Sequence, residues 1–286
     1  MADVHEIEKI DVEYLTHDGK PLLATVFKPR GKGPFPAVVE AHGGAWVMGD
    51  RANNNAVNEP IARGGVVVVA LDFRCPPEAS YPGSLQDINY AVRWLKANAE
   101  KFGTRPEMIG TMGTSSGGHL AVLVAMKPND PRYAAIQLPA GSPSIDAKVN
   151  FVVTLWPVIN PVGRYRYIKE RQRGGDTSAQ IANLAKCQEQ YWGTEAAMAE
   201  GAPGLALQRG DQVELPRIMY VQNPNDPIHP REHLEHFVAN YRKAGGQVDL
   251  ELFEGASYDI IRSDPSSAAA RSIFQKMIDF IHRLGR

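Results

Sequence analysis

The chain has 286 residues, with 31 Lys and Arg against 32 Asp and Glu, so its formal net charge is −1. This balance argues against nucleic acid as the main partner, because phosphate binding needs a clustered surplus of cations. The absence of an 18-residue apolar run excludes a transmembrane helix, and two cysteines give neither a disulfide framework nor a zinc-type metal site. With no secretory signal at its start, we expect a cytoplasmic protein without a membrane partner, and a homodimer is compatible with the sequence.

The first quarter of the chain predicts a hairpin followed by two buried strands. Residues 10–15 and 22–27 read as strands on either side of the turn at 17–19. Residues 36–41 form a short apolar strand, and residues 65–71 are apolar on both faces. A strand of this kind needs cover on both sides, as in a parallel sheet with helices above and below.

From residue 85 onward, helical and strand patterns alternate. Helices are predicted around 85–95, 115–125, 234–241 and 273–281, and strands at 108–112, 151–156, 218–222 and 248–253. This alternation predicts an α/β fold with a doubly wound, mostly parallel sheet. Residues 157–216 break the order and contain a helical pattern at 181–192. We interpret this stretch as a cap inserted over the carboxyl edge of the sheet in a single domain, 1–286.

The motif Gly113-Thr114-Ser115-Ser116-Gly117 has the form G-x-S-x-G and lies between a predicted strand and a predicted helix. Such a turn forces the serine into a strained backbone geometry and raises its hydroxyl above the sheet. Small flanking residues are needed because strand and helix approach closely there. A plain Gly/Ser turn is the alternative, but the structural context favours Ser115 as a nucleophile.

The residues His42-Gly43-Gly44 directly follow a predicted buried strand. Two consecutive glycines let backbone N–H groups face outward without a side chain that blocks them. Together with the N–H of Ser116, the amides of Gly43 and Gly44 are predicted to hold the oxyanion of a tetrahedral intermediate. A tight turn that uses glycine for positive φ is the alternative. We interpret His42 as a structural residue.

Asp226 lies in the segment Asn223-Pro224-Asn225-Asp226-Pro227, directly after a predicted strand. In folds that carry this serine turn, the acid of a Ser-His-Asp triad occupies the loop after a late strand. Asp226 is therefore the predicted acid, although the same composition is typical of an ordinary turn.

Together these motifs resemble the α/β-hydrolases, and specifically the esterases of the hormone-sensitive-lipase-like group that carry His-Gly-Gly-x-Trp. Further matches between residue 37 and the C terminus are Asp72-Phe73-Arg74, Pro77-Glu78-x-x-Tyr81-Pro82, Asp87, Arg93-Trp94 and Gly117-Gly118-His119-Leu120-Ala121. The resemblance implies an eight-stranded sheet, no cofactor, and hydrolysis of small carboxylic esters through an acyl-serine. It also implies that His119 is structural.

The chain departs from this family pattern at the catalytic histidine, which the family places in a loop after the last strand. Tyr258 stands at that position and is followed by Asp259. A phenol, whose pKa is about 10, is a poor general base at neutral pH, and a nearby carboxylate suppresses its ionisation further. Either the base has been replaced with the rest of the site intact, or Tyr258 has a different catalytic role in a modified mechanism.

A third explanation is that another histidine supplies the base. His229 lies three residues after Asp226, and His233 lies one helical turn further on. We interpret both as surface residues of a helix that starts near Pro230.

The segment 163–173 has five cations and one anion, which is typical of a solvated face. The sharper hypothesis is that Arg164 and Arg166 face the pocket and favour a substrate with a carboxylate. Trp46 is a candidate wall for the acyl or alcohol group, although core packing also explains it.

Besides an esterase, the sequence is compatible with an amidase or formamidase of the same fold, or with a hydrolase-like binding protein that lacks turnover.

Overall fold

The computed structural model describes residues 4–255 and 257–286. The chain begins with a hairpin of two antiparallel strands, β1 (Ile7–His17) and β2 (Lys20–Pro29). Asp18 and Gly19 form its turn, and both have a positive φ. The predicted hairpin is confirmed, with strands longer than the sequence pattern indicates.

Six parallel strands follow the hairpin and complete one eight-stranded sheet of order β1-β2-β4-β3-β5-β6-β7-β8. They are β3 (Ala37–Ala41), β4 (Val67–Leu71), β5 (Ile109–Thr114), β6 (Phe151–Leu155), β7 (Arg217–Gln222) and β8 (Val248–Leu252). β2 joins β4 in antiparallel register, and every later pair is parallel. The predicted eight-stranded, mostly parallel sheet is confirmed.

Helices cover both faces of this sheet, because alternate strand residues point to opposite sides. Val39 packs in one apolar cluster with α2 (Gly83–Ala97) and α3 (Ser116–Met126). Its neighbour Val38 packs in another cluster with α1 (Asn55–Arg63) and with the C-terminal helix (Ala268–Leu284). Within the described ranges, no helix is long and apolar enough to cross a bilayer.

Four helices lie between β6 and β7, in the stretch interpreted as a cap. They are α4 (Pro161–Arg173), α5 (Ala179–Trp192), α6 (Glu195–Glu200) and α7 (Pro203–Arg209). α5 matches the helical pattern predicted at 181–192. The cap boundaries at 157 and 216 stay a prediction. After β7 come α8 (Arg231–Lys243), then β8, the short α9 (Ile260–Ser263) and the C-terminal helix, α10.

Candidate active site

Ser115 lies on the sharp bend between β5 and α3. Its backbone has φ 54° and ψ −117°, a region that non-glycine residues rarely adopt. The bend is fixed by two backbone hydrogen bonds of Ser115. The N–H of Ser115 donates to the Leu155 carbonyl (2.9 Å), and the Ser115 carbonyl accepts from the N–H of Val158 (3.1 Å). The side chain is half-buried rather than enclosed. A strained serine held in this way is typical of a nucleophile.

Gly113 and Gly117 must be glycines because backbone atoms of neighbouring segments lie too close to leave room for a Cβ. A Cβ on Gly113 would lie 2.4 Å from the Gly117 carbonyl oxygen. A Cβ on Gly117 would lie 2.0 Å from the Ala41 oxygen and 2.2 Å from the His42 oxygen. Backbone atoms of β3 cannot move away as a flexible side chain would. The G-x-S-x-G spacing therefore follows from the packing of α3 against β3 and β5.

Gly117→Ala is expected to destabilise the protein by roughly 3 kcal/mol or more, because the new methyl group overlaps two backbone oxygens. For a chain of this size we expect Tm to fall by about 6 °C or more in a thermal melt. Gly174→Ala is the matched control, since its Cβ would meet only the Arg171 and Glu170 oxygens, at 3.4 and 3.5 Å. Equal Tm values for the two variants would contradict this account of the turn.

Ser115, His229 and Asp226 form a hydrogen-bonded line. Ser115 Oγ lies 3.1 Å from His229 Nε2, and His229 Nδ1 lies 2.8 Å from Asp226 Oδ2. Because Nδ1 faces a carboxylate, the imidazole carries its proton there, and Nε2 is left to accept from the serine hydroxyl. These are the contacts that activate a serine nucleophile.

The carboxylate of Asp226 holds the loop between Asp226 and His229 in place. Asp226 Oδ1 accepts the backbone N–H of Ile228 (2.8 Å) and of His229 (3.0 Å), while Oδ2 is left for the imidazole. Gln222 Nε2, at the end of β7, donates to the His229 carbonyl (2.8 Å). Asp226 therefore fixes the backbone and the ring of His229 together.

The interpretation of His229 as a surface residue is wrong. Its side chain is 4% exposed, and it precedes α8 instead of lying on it. His233 does lie on α8, but its side chain is only 12% exposed, and burial lowers its pKa to about 4. His229 is thus the histidine that the fold brings to Ser115.

Tyr258 lies beside His229, with their ring centroids 6.0 Å apart, and its ring is nearly perpendicular to that of Trp156. Tyr258 packs against the apolar cluster that contains Trp156 and against the one that contains Ile228. Burial raises the pKa of the phenol, and the carboxylates of Asp259 and Asp226 raise it further. A phenol with a raised pKa stays protonated at neutral pH and is unsuited to accept the serine proton.

Of the three predicted oxyanion residues, Gly43 and Ser116 lie next to Ser115, and Gly44 follows Gly43 in the same turn. A Cβ on Gly43 would be 3.6 Å from Ser115 Cβ, and Ser116 is the first residue of α3. Gly44 has φ 118°, and a Cβ there would be 1.8 Å from the Met48 oxygen, so only glycine fits this turn. Within residues 4–255 and 257–286, the amides of Gly43, Gly44 and Ser116 donate to no protein acceptor. The arrangement leaves them available for an oxyanion.

Two other buried histidines near the site serve as structural residues. His42 Nδ1 donates to the Gly43 carbonyl (2.6 Å), and its ring stacks on Phe73. Burial lowers its pKa. His119 Nε2 donates to the Gly201 carbonyl (2.7 Å), its Nδ1 accepts from Trp46 Nε1 (3.2 Å), and burial lowers its pKa to about 4.

The structure corrects the predicted substrate contacts of Trp46, Arg164 and Arg166. Trp46 is 1% exposed and stacks on Tyr191, so it is a core residue and not a pocket wall. Arg166 points outward, 69% exposed, and pairs with Glu195.

Arg164 is also buried, 1% exposed. Its guanidinium lies 5.0 Å from the centroid of the Trp46 ring, and Nε and Nη2 donate to Gln188. It borders a small cavity that His229 and His233 also line, and burial lowers its pKa to about 10. It therefore does not face an open pocket.

The sheet order and the strained serine between β5 and α3 define an α/β-hydrolase. The imidazole of His229 follows β7, whereas the family pattern places its histidine after the last strand. The resemblance to the hormone-sensitive-lipase-like group is confirmed. The chain belongs to the BD-FAE family, whose model matches residues 24–189, more than half of its length.

Curated relatives are named as esterases. The chain is 41% identical to esterase LipC of Mycobacterium tuberculosis over 133 residues, which cover 46% of this chain and 30% of that protein. It is 36% identical to versiconal hemiacetal acetate esterase of Dothistroma septosporum over 122 residues, 42% of this chain and 37% of that protein. The aligned segments thus span only about a third of these relatives.

Solved structures share the fold over nearly the whole chain. A Pyrobaculum calidifontis esterase matches with a TM-score of 0.74 and 24% identity, over 97% of this chain and 85% of that one. The carboxylesterase EstE1, cloned from a metagenomic library, matches with a TM-score of 0.76 and 22% identity, over 100% of this chain and 91% of that one. At these identities the likeness concerns the fold alone.

Proposed function

We propose that this protein is a serine hydrolase that cleaves small carboxylic esters through an acyl-serine intermediate. The observation that carries the proposal is the continuous line from Ser115 Oγ through His229 to Asp226, with distances of 3.1 and 2.8 Å. Ser115 is the nucleophile, His229 the general base, and Asp226 the residue that orients His229. The names of the relatives support an ester as substrate.

In the first half of the reaction, Ser115 Oγ attacks the ester carbonyl carbon while its proton passes to His229 Nε2. The negative charge that develops on the carbonyl oxygen is stabilised by the amides of Gly43, Gly44 and Ser116. The imidazolium then gives its proton to the alkoxide oxygen as the carbon–oxygen bond breaks. An alcohol leaves, and the acyl group stays on Ser115.

In the second half, water replaces the alcohol. The water oxygen attacks the acyl carbon while His229 takes a proton from the water. His229 then gives this proton to Ser115 Oγ as the acyl–serine bond breaks. The products are a carboxylic acid and free enzyme. We assign no proton transfer to Tyr258. Its ring instead forms a wall beside His229, a role supported by the 6.0 Å separation of the two rings.

Ser115→Ala is expected to abolish ester turnover and covalent labelling by a fluorophosphonate probe, because no nucleophilic oxygen remains. The measurement pairs labelling with turnover of chromogenic acetate and butyrate esters. Ser142→Ala, at an exposed serine, is the matched control and should behave as the parent does.

Labelling and turnover that persist in Ser115→Ala would contradict the proposal. A parent protein that neither labels nor turns over would favour the hydrolase-like binding protein. The same probe set should include an anilide of each acyl group, since faster cleavage of the anilide would indicate an amidase.

A further inference from the structure

The loop that carries the base is in direct contact with α4, a helix of the inserted segment. Two side chains of α4 donate to the same acceptor, the carbonyl of Pro227, which lies between Asp226 and His229 in the chain. Tyr167 Oη lies 3.1 Å from this oxygen, and Arg171 Nη1 lies 2.9 Å from it. Two hydrogen bonds therefore connect the centre of the loop 226–229 to α4.

Both donors are themselves held in place. Arg171 Nε and Nη2 donate to Asp176 Oδ2, at 2.9 and 2.5 Å, so only Nη1 is directed to the loop. Its guanidinium also lies over the Tyr167 ring, 5.7 Å from the centroid. A guanidinium fixed in this way loses little side-chain entropy when it binds the carbonyl.

The next residue of the loop is also packed against the insert. Ile228 is 4% exposed and shares an apolar cluster with Ile168 of α4 and with Ile181 and Ala185 of α5. The loop between Asp226 and His229 is thus held on one side by its own carboxylate and on the other by the inserted helices. A shift of α4 would move the imidazole relative to Ser115.

We propose that Arg171, together with Tyr167, is a positioning residue for His229. By binding the Pro227 carbonyl it keeps Nε2 at hydrogen-bond distance from Ser115 Oγ, although it does not itself touch the reacting atoms. This inference rests on the proposed function, in which His229 is the general base. Its physical basis is the steep dependence of proton transfer on distance, since a misplacement of about 1 Å can cost about a hundredfold in rate.

The test is Arg171→Met, which keeps an unbranched side chain and removes the donors to Pro227 and to Asp176. We expect kcat to fall about tenfold to a hundredfold with KM little changed, because the charge-assisted hydrogen bond to the Pro227 carbonyl is lost and His229 is misaligned. The rate constant of fluorophosphonate labelling should fall by the same factor, while the final labelled fraction stays that of the parent. Arg171→Lys, which keeps a cationic donor, should recover part of the rate.

Arg166→Met is the matched control, because Arg166 lies on the same helix and pairs with Glu195 at the surface. It should leave both rates unchanged. Tyr167→Phe removes the second donor and should give a smaller loss than Arg171→Met.

The inference is overturned if Arg171→Met keeps kcat and the labelling rate of the parent while Ser115→Ala is inactive and His229→Ala is strongly impaired. It is also overturned if Arg171→Met lowers only the labelled fraction, which would indicate a purely structural role. Full activity of His229→Ala would instead overturn the proposed function.

Discussion

His229→Ala is expected to lower kcat/KM for a chromogenic ester by about 10²–10⁴-fold, the range that a positioned general base contributes. Its Nε2 lies 3.1 Å from Ser115 Oγ, so the variant removes the group that takes the serine proton as the carbonyl is attacked. The residual rate would come from the oxyanion amides and from binding. Steady-state kinetics at neutral pH, with Tm measured on the same preparations, provide the check.

Tyr258→Phe is the control for this prediction, because it keeps the ring beside His229 and removes only the hydroxyl. We expect its activity to stay close to that of the parent. The opposite pattern, a large loss in Tyr258→Phe and little in His229→Ala, would assign proton transfer to the tyrosine and contradict the triad proposed above.

Asp226→Asn is expected to lower kcat by about 10⁴-fold through the wrong imidazole tautomer. Asp226 Oδ1 accepts two backbone N–H groups, so an asparagine must keep its oxygen there and direct its NH₂ group to His229 Nδ1. Nδ1 then has to accept, which moves the ring proton to Nε2, and Nε2 can no longer take the proton of Ser115.

Asp259→Asn tests whether this loss is specific to Asp226 and not a general effect of removing a carboxylate near the site. Asp259 follows Tyr258, and its carboxylate accepts from Ser257 and Arg262. Its replacement should leave kcat nearly unchanged. Similar losses in the two variants would argue against the tautomer explanation.

The sheet and the nucleophile could be predicted from sequence because their requirements are local. β4 is apolar on both faces because helices cover both sides of the sheet. Gly113 and Gly117 are small because backbone oxygens lie within 2.4 Å of where their Cβ atoms would be. Signals of this kind are visible in a single chain, since each depends on one residue and its nearest neighbours.

From sequence, His229 is only an alternative base, because the family resemblance directs attention to the loop after β8. The signal in its favour is the Asp-x-x-His spacing of Asp226 and His229. One carboxylate oxygen of an aspartate can accept the backbone N–H groups of the residues two and three positions later. The side chain of the residue three positions later then lies close to the second carboxylate oxygen. The sequence shows no sign that His229 is buried, or that Ile228 beside it packs against α4 and α5.

The charge run of α4 was likewise ambiguous at the level of sequence. Arg164, Arg166 and Arg171 share a helix, but they have different surroundings: the ring of Trp46, the exposed Glu195, and the Pro227 carbonyl. These partners come from distant parts of the chain, from the turn after β3 to the loop after β7. Only the tertiary fold assigns each arginine its partner.

Asp226 and His229 belong to one turn of four residues, and this has a consequence for how such a site diversifies. Their mutual orientation is set by the geometry of a single turn and does not depend on how two distant loops settle against each other. In the proposed mechanism Tyr258, which follows β8, transfers no proton. A substitution there that preserves the packing beside His229 can therefore arise in descendants of this chain without dislodging the imidazole.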